Sequence, residues 1–318
     1  MEECIISVDW GTSNLRLRLL DCNTGKNYAE VNAPAGIKQT FQNWQVSHEP
    51  REIFYSRVLH TQIELLAKQA NRMIEPWPII ISGMASASIG MREVSYSPLP
   101  FVLDNLSPNI DMISASPTFG HDIILISGLE TIGDVMRGEE MQTVGWWLSY
   151  GNKNSNTTLI LPGTHSKHMH IREGVVVGFK TYMTGELFQI VSEYSILAND
   201  VQPKVLEQDY DVVRKGARDV QLEPLSHLLF SIRGRRLQNK FTEQQCSAYL
   251  SGLLIGSEFR QFKGGNITLC ADEKFASMYL VVINALNLSD FCQVVDKDKV
   301  SLFVPTAHLA LFKSLAQT

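Results

Sequence analysis

The sequence predicts an α/β fold built as two similar domains, and three observations carry that expectation. An apolar run ending in a Gly-Thr turn and resuming as a second strand occurs twice, at Ile5-Ile6-Ser7-Val8-Asp9-Trp10-Gly11-Thr12-Ser13-Asn14-Leu15 and at Leu159-Ile160-Leu161-Pro162-Gly163-Thr164-His165-Ser166-Lys167. Gly11 and Gly163 stand nearly half of the 318-residue chain apart. In each half a three-strand meander gives way to alternating strand and helix patterns, which is more specific than either turn alone. A chain of this length is also too long for one comfortable core and suits two domains.

Residues 4–9 are almost continuously apolar, as in a strand buried on both faces. Beyond the turn, Leu15, Leu17 and Leu19 alternate with Arg16 and Arg18, the period of a half-buried strand. Asn23-Thr24-Gly25-Lys26 has turn chemistry, and residues 27–33 return as a third strand. A helix is expected over 50–73, with Ile53, Phe54, Ile63, Leu66 and Ala70 facing the core. Short buried strands follow at 78–82, before Gly83, and at 123–127, before Gly128. The second half repeats the plan, with strands at 158–162, 165–171 and 174–181 and a helix over 185–197. Residues 200–240 are polar with helical tendency. Thr242-Glu243-Gln244-Gln245 fits a capping box before a helix reaching about residue 262. A strand at 267–271, a helix to about 286, a strand near Val294 and a last helix from Pro305 complete the chain.

Composition narrows the function. The apolar share of 44% and charged share of 19% are those of an ordinary globular protein. A net charge of −5 with no basic block disfavours nucleic acid as the main partner. Cys4, Cys22, Cys246, Cys270 and Cys292 are scattered, so a reducing compartment is expected rather than a disulfide framework. The acidic start Met1-Glu2-Glu3 is unlike a signal peptide, and no apolar run nears the roughly 18 residues of a membrane span. The expectation is a cytoplasmic protein with no membrane partner; a homo-oligomer stays open.

The duplicated turns carry the chemistry. A carboxylate at the end of a buried strand, Asp9, followed by Gly11-Thr12-Ser13-Asn14, can hold hydrated Mg²⁺ beside a phosphate. The turn N–H groups and hydroxyls can donate to phosphate oxygens. The bland alternative is a hairpin whose Asp bonds its own turn. No G-x-x-x-x-G-K-[ST] and no G-x-G-x-x-G after a strand occurs, so a Walker loop and a dinucleotide fold have no support. Arg137-Gly138-Glu139-Glu140 opens a helix, where a carboxylate can accept a hydroxyl proton while Arg137 faces an anion; a solvated first turn is the rival reading. His165, His168 and His170 lack a spaced carboxylate or cysteine partner, which disfavours a metal site. Lys167 is the stronger candidate. Thr184 is expected to cap a helix with Glu186 in its first turn, and Gly83 and Met84 open a small-residue loop reaching Gly90.

These runs, with Met183-Thr184-Gly185-Glu186-Leu187 and Ser251-Gly252-Leu253-Leu254-Ile255-Gly256, together resemble the 2-dehydro-3-deoxygalactonokinase family up to about residue 260. The resemblance implies the sugar kinase, Hsp70 and actin superfamily: an actin-like ATPase clamp of two ribonuclease-H-like domains with a mixed five-stranded sheet each. The domains would divide at 127/128, with the last helix packing back on the first. It implies an ATP- and Mg²⁺-dependent kinase phosphorylating 2-keto-3-deoxygalactonate on O6 in galactonate catabolism. By that likeness Asp9 organises Mg²⁺, while Gly11, Thr12, Ser13 and Asn14 with Gly163, Thr164 and His165 hold the ATP phosphates. Glu139 is the catalytic base with Glu140 in reserve, and Lys167 assists. Arg137, Glu140, Gly83, Met84, Thr184, Gly185 and Glu186 line the sugar-acid side. Leu269-Cys270-Ala271-Asp272-Glu273-Lys274 replaces the superfamily's Gly-rich adenosine turn, and Leu311 stands at a second family glycine. These departures motivate the alternative, a kinase-derived sugar-acid sensor. A phosphohydrolase on the same scaffold is a third reading.

Overall fold

The computed structural model describes residues 3–153, 155–202, 205–271 and 273–316, the side chains of 273 and 274 excepted. The chain forms two compact units, one of Met1–Ser155, Arg172–Gly178 and Asp298–Thr318, the other of Asn156–Ile171 and Phe179–Lys297. The expected division after residue 127 falls inside the first unit.

The first unit is built on β1 (Cys4–Trp10), β2 (Leu15–Asp21), β3 (Asn27–Ala33), α1 (Ile37–Gln45), α2 (Arg51–Ala70) and β4 (Ile79–Gly83). The short strands β5 (Ser97–Pro98) and β6 (Phe101–Val102) follow, then β7 (Ile110–Ile113), β8 (Ile123–Ile126), β9 (Leu129–Thr131), β10 (Asp134–Met136) and α3 (Glu139–Tyr150). The main sheet runs β3-β2-β1-β4-β8-β7. β1, β4 and β8 are parallel, and β2 and β7 are antiparallel to their neighbours β1 and β8. The expected five strands are therefore six. β7 has little signal in the sequence because Ile110-Asp111-Met112-Ile113 is short and only partly buried, recruited by pairing with β8 rather than by its own pattern. α1 and the small sheet β10-β9-β5 are likewise additions to the expected plan.

β2 corrects a second expectation. Its Leu15, Leu17 and Leu19 are fully buried, but so is Arg18, at 5% exposure. The last helix covers that face, and Arg18 donates to Glu30 Oε2 at 2.6 Å and to Ser301 O at 2.5 Å. A buried guanidinium needs such partners. In α2 the core stripe is Phe54, Tyr55, Leu59, Ile63 and Leu66, whereas Ile53 points outward at 51% exposure.

The second unit contains β11 (Asn156–Leu161), β12 (Ser166–Arg172), β13 (Val175–Tyr182), α4 (Thr184–Tyr194), α5 (Tyr210–Leu222), α6 (Leu225–Leu237), α7 (Glu243–Glu258), β14 (Asn266–Cys270), α8 (Glu273–Ala285) and β15 (Cys292–Val295). Its strands follow β15-β14-β11-β12-β13, with the first three parallel. Here too a sixth strand joins: β6 pairs with Val175 and Val176, the part of β13 that belongs to the first unit. The polar stretch 200–240 becomes α5 and α6, and α7 opens with the expected capping box, Gln245 N donating to Thr242 Oγ1 at 3.2 Å and Thr242 N to Gln245 Oε1 at 3.0 Å. α9 (Lys297–Val300) and α10 (Phe303–Leu315) end the chain, α10 packing on α3, β1 and β2 within the first unit.

All five cysteines are free. Among the described residues no helix is long and apolar enough to cross a membrane.

Candidate functional site

In the first unit, three segments converge at the C-terminal ends of the parallel strands β1 and β4. They are Asp9-Trp10, Gly83, and Gly138-Glu139 at the start of α3. Asp9 pairs in register with Arg16 on one side and Ser82 on the other. Gly83 lies so close to Trp10 that a Cβ there would stand 2.7 Å from the Trp10 carbonyl oxygen, and a Cβ on Gly138 would stand 3.5 Å from Gly83 Cα. Such strand ends are where open α/β sheets bind ligands.

Asp9 makes no hydrogen bond to its own turn among the described residues, which sets aside the bland hairpin reading. Asp21 shows the contrast, accepting from Asn23 N at 3.0 Å and Thr24 N at 2.7 Å. The Asp9 carboxyl is raised by burial; Arg16 pulls it down, Glu139 pushes it up and Arg18 lowers it further. Asp9 and Glu139 thus feel one another's charge. Its turn closes through Gly11 N donating to Asn14 O at 2.9 Å, leaving Thr12, Ser13 and Asn14 exposed. The turn is fastened to α1, since Ile37 N donates to Gly11 O at 3.0 Å and Lys38 N to Thr12 O at 3.1 Å. This seat exists because residue 36 is glycine: a Cβ there would lie 2.2 Å from Ser13 C. Gly36 is a site residue the sequence reading missed.

Glu139 is the first residue of α3, partly exposed, where the helix dipole favours a carboxylate. Glu140 is 1% exposed and accepts from Gly138 N at 2.6 Å, so it turns inward beneath the segment. Burial, then the charge of Glu139, pushes the Glu140 carboxyl up to about 8. The folded protein therefore keeps a proton that the unfolded chain loses near 4.5, and stability falls as pH rises from that value toward about 8. Glu140→Gln retains an oxygen for Gly138 N–H and removes the titration. Its melting temperature should gain several degrees on wild type between about pH 5 and about pH 8. A pH-independent gap would show that Glu140 is not held uncharged.

Arg137 does not stand open to a ligand. It donates to Ser86 Oγ at 2.7 Å and Val94 O at 2.8 Å, and lies 4.0 Å over the Tyr96 ring. These bonds tie it to the 83–90 loop, whose Met84–Ser86 segment is a single 3₁₀ turn. Tyr55 donates to Ile89 O at 2.6 Å and Arg51 to Ser88 O at 2.5 Å, so α2 braces the same loop. No carboxylate pairs with Arg137 among the described residues, and the protonated Glu140 beside it does not cancel its charge.

The second unit presents the matching turn, Gly163-Thr164-His165, with Thr164 and His165 exposed. The N-terminus of α4 rests on it: Glu186 N donates to Thr164 O at 3.1 Å, and His165 Nε2 meets Glu186 Oε2 at 2.7 Å. A Cβ on Gly185 would lie 2.8 Å from both Gly163 O and Thr164 Cα, so only glycine permits this approach. Thr184 is not the helix cap expected. Met183 holds that position, and the Thr184 hydroxyl donates to Glu258 instead. Lys167 is 4% exposed and donates to His165 O at 2.9 Å, bracing the turn from beneath. His168 donates to Glu258 Oε2 at 2.8 Å and His170 Nδ1 meets Thr158 Oγ1 at 3.3 Å, so the histidines serve separate contacts. Among the described residues no group of three or more His, Cys, Asp or Glu could hold a metal by itself.

Of the departures near the end of the chain, Cys270 closes β14, Asp272 lies outside the described residues, and Leu311 is buried in α10 at 1% exposure.

A sequence-family profile described as 2-keto-3-deoxy-galactonokinase matches residues 9–302. A Rhizobium meliloti (strain 1021) protein named "Probable 2-dehydro-3-deoxygalactonokinase" is 28% identical over 311 residues, covering 92% of each chain. The 2-dehydro-3-deoxygalactonokinase of Escherichia coli (strain K12) is 24% identical over 295 residues, 88% of this chain and 89% of that one. A crystal structure described as a 2-dehydro-3-deoxygalactonokinase protein from Sinorhizobium meliloti superposes with a TM-score of 0.82 at 26% identity, over 97% of this chain and 99% of that one.

Proposed function

Because the chain belongs to the 2-keto-3-deoxy-galactonokinase family, we propose that the convergence of Asp9 and Glu139 is the centre of a phosphotransferase acting on a sugar-acid alcohol. The fold is that of the actin-like ATPases and sugar kinases. The activity is phosphorylation of 2-dehydro-3-deoxygalactonate, on O6 and in galactonate catabolism, with ATP as phosphoryl donor. The observation that carries the site is a carboxylate, Asp9, raised by burial and by a second carboxylate at the same strand ends.

That donor set fits Mg²⁺. Two acids crowded in a partly buried place repel one another, and a divalent cation removes the penalty. With no all-protein cage among the described residues, the ion would rest on one carboxylate, waters and phosphate oxygens, its usual manner of binding. Asp9 is the residue that would hold it. When bound, Mg²⁺ supplies neutralisation of phosphate charge.

The chain's own residues do the rest. The exposed N–H groups and hydroxyls of residues 11–14, and those of 163–165, donate to phosphate oxygens. α1 and α4, seated on glycines, hold the two turns still. Glu139 accepts the proton of the attacking hydroxyl as its oxygen bonds to the γ-phosphorus and ADP leaves. Glu140, uncharged and buried, holds Gly138 and so aims Glu139. Arg137 stiffens the 83–90 loop and makes that loop attractive to the substrate carboxylate. Lys167 acts through the His165 carbonyl.

The test is coupled ADP release from Mg-ATP with and without 2-dehydro-3-deoxygalactonate, beside the gluconate epimer. ADP formed only with the galactonate acid is expected. ADP formed without sugar acid would make the protein a phosphohydrolase, and none with any acid would make it a sensor.

A further inference from the structure

Glu258, at the end of α7, is a carboxylate with no role in the steps above, and its side chain has no solvent exposure. Four donors surround it. Thr184 Oγ1 and the Tyr279 hydroxyl, at 2.6 Å, donate to Oε1; Ser166 Oγ at 3.0 Å and His168 Nε2 at 2.8 Å donate to Oε2. A carboxylate has about four lone-pair sites, so this set matches an ionised Glu258 and fills it. The chain's own packing puts it there. Ser251-Gly252-Leu253-Leu254-Ile255-Gly256 leads to it, and α7 presses so tightly on α5 that a Cβ at Gly252 would lie 2.2 Å from Val213 O. That approach brings Glu258 under β12, directly after the Gly163-Thr164-His165 turn, and under the first residue of α4.

The proton count has a chemical consequence. A hydroxyl has one proton, and that of Thr184 is committed to Glu258. Thr184 is partly exposed, next to Gly185 on the turn, and its oxygen there offers only lone pairs. A phosphate oxygen, itself an acceptor, is repelled by such an atom, whereas a sugar hydroxyl is bound by it. We propose that Glu258 is a positioning residue that fixes the Thr184 hydroxyl as an acceptor, so that Thr184 reads a hydroxyl of the sugar acid and not a phosphate of the nucleotide. The inference rests on the kinase reading above and sharpens it. It also places two neighbours on one segment in opposite roles: residues 163–165 donate, and Thr184 accepts.

The experiment measures KM for 2-dehydro-3-deoxygalactonate, KM for ATP, kcat and the melting temperature in Thr184→Val, Thr184→Ser, Glu258→Gln and the Thr184→Val/Glu258→Gln double variant. Thr184→Val removes the acceptor. Glu258→Gln puts an amide N–H₂ among four donors and turns the Thr184 proton outward. Each should raise the sugar-acid KM about tenfold, the worth of one well-placed hydrogen bond, with ATP KM held within about twofold. Thr184→Ser should restore the wild-type sugar-acid KM. The double variant should be no worse than either single one, since both remove the same interaction. A rise in ATP KM with sugar-acid KM unchanged, or additive effects, would overturn the proposal. If Glu258→Gln fails to fold, the Val and Ser variants of Thr184 decide the matter through the same two KM values. Absence of sugar-acid-dependent ADP release from the wild type would instead reject the kinase reading, before any variant is compared.

Discussion

Glu139→Gln is expected to lower kcat by about 10²–10⁴-fold, the usual worth of a general base, while leaving the dissociation constant of Mg-ATP nearly unchanged. The substitution keeps size and hydrogen-bonding capacity but cannot accept a proton. Glu139 is partly exposed at the start of α3, so little packing depends on its charge. Loss of the base does not abolish phosphoryl transfer, because positioning and electrostatics carry most of that reaction. Single-turnover kinetics with nucleotide binding measured separately is the appropriate test. Turnover within about twofold of wild type would move the base elsewhere, Glu140 first, despite its turn toward Gly138 N.

Asp9→Asn should cost about 10²–10³-fold in Mg²⁺-dependent turnover, the scale on which removal of one preorganised electrostatic group acts. Its effect on stability should run the other way. The Asp9 carboxyl is raised, chiefly by burial, so its ionised form is a burden on the fold above the ordinary carboxylate range. An amide lifts that burden. Without Mg²⁺ the variant should melt at or above the wild-type temperature near neutral pH. Added Mg-ATP should stabilise the variant less than the wild type. A variant that loses activity and stability together would mark Asp9 as structural, and one with unaltered Mg²⁺ dependence would exclude it as the ion's holder.

Much of this site is legible because each piece is local. A buried strand end, a glycine turn and a carboxylate within a few residues state their chemistry in order, as Asp9 to Asn14 and Gly163 to Lys167 do. The motif Arg137-Gly138-Glu139-Glu140 is equally visible, but its division of labour is not. Which glutamate faces the strand ends and which is buried follows from the path of the backbone at Gly138, not from residue type. Arg137 and Lys167 read as ligand-facing cations because their charge is evident in the sequence. Their partners, Ser86 and Val94 for the one and the His165 carbonyl for the other, are set by packing. Gly36 and Glu258 give no signal at all. A glycine before a helix and a glutamate at the end of an apolar helix are commonplace until the elements they touch are known.

The α/β plan, the duplicated turns, the family and the acid that organises the centre can all be read from contiguous residues, since strand periodicity, turn chemistry and motif order are local properties. Three features cannot: the return of α10 to bury Arg18, the addition of β6 and β7 as a sixth strand to each sheet, and the gift of the Thr184 proton to Glu258 instead of a helix cap. One cause underlies all three. Burial and hydrogen-bond polarity depend on what long-range packing brings within about 3 Å, and residues scores of positions apart carry no mark of that meeting in their own spacing.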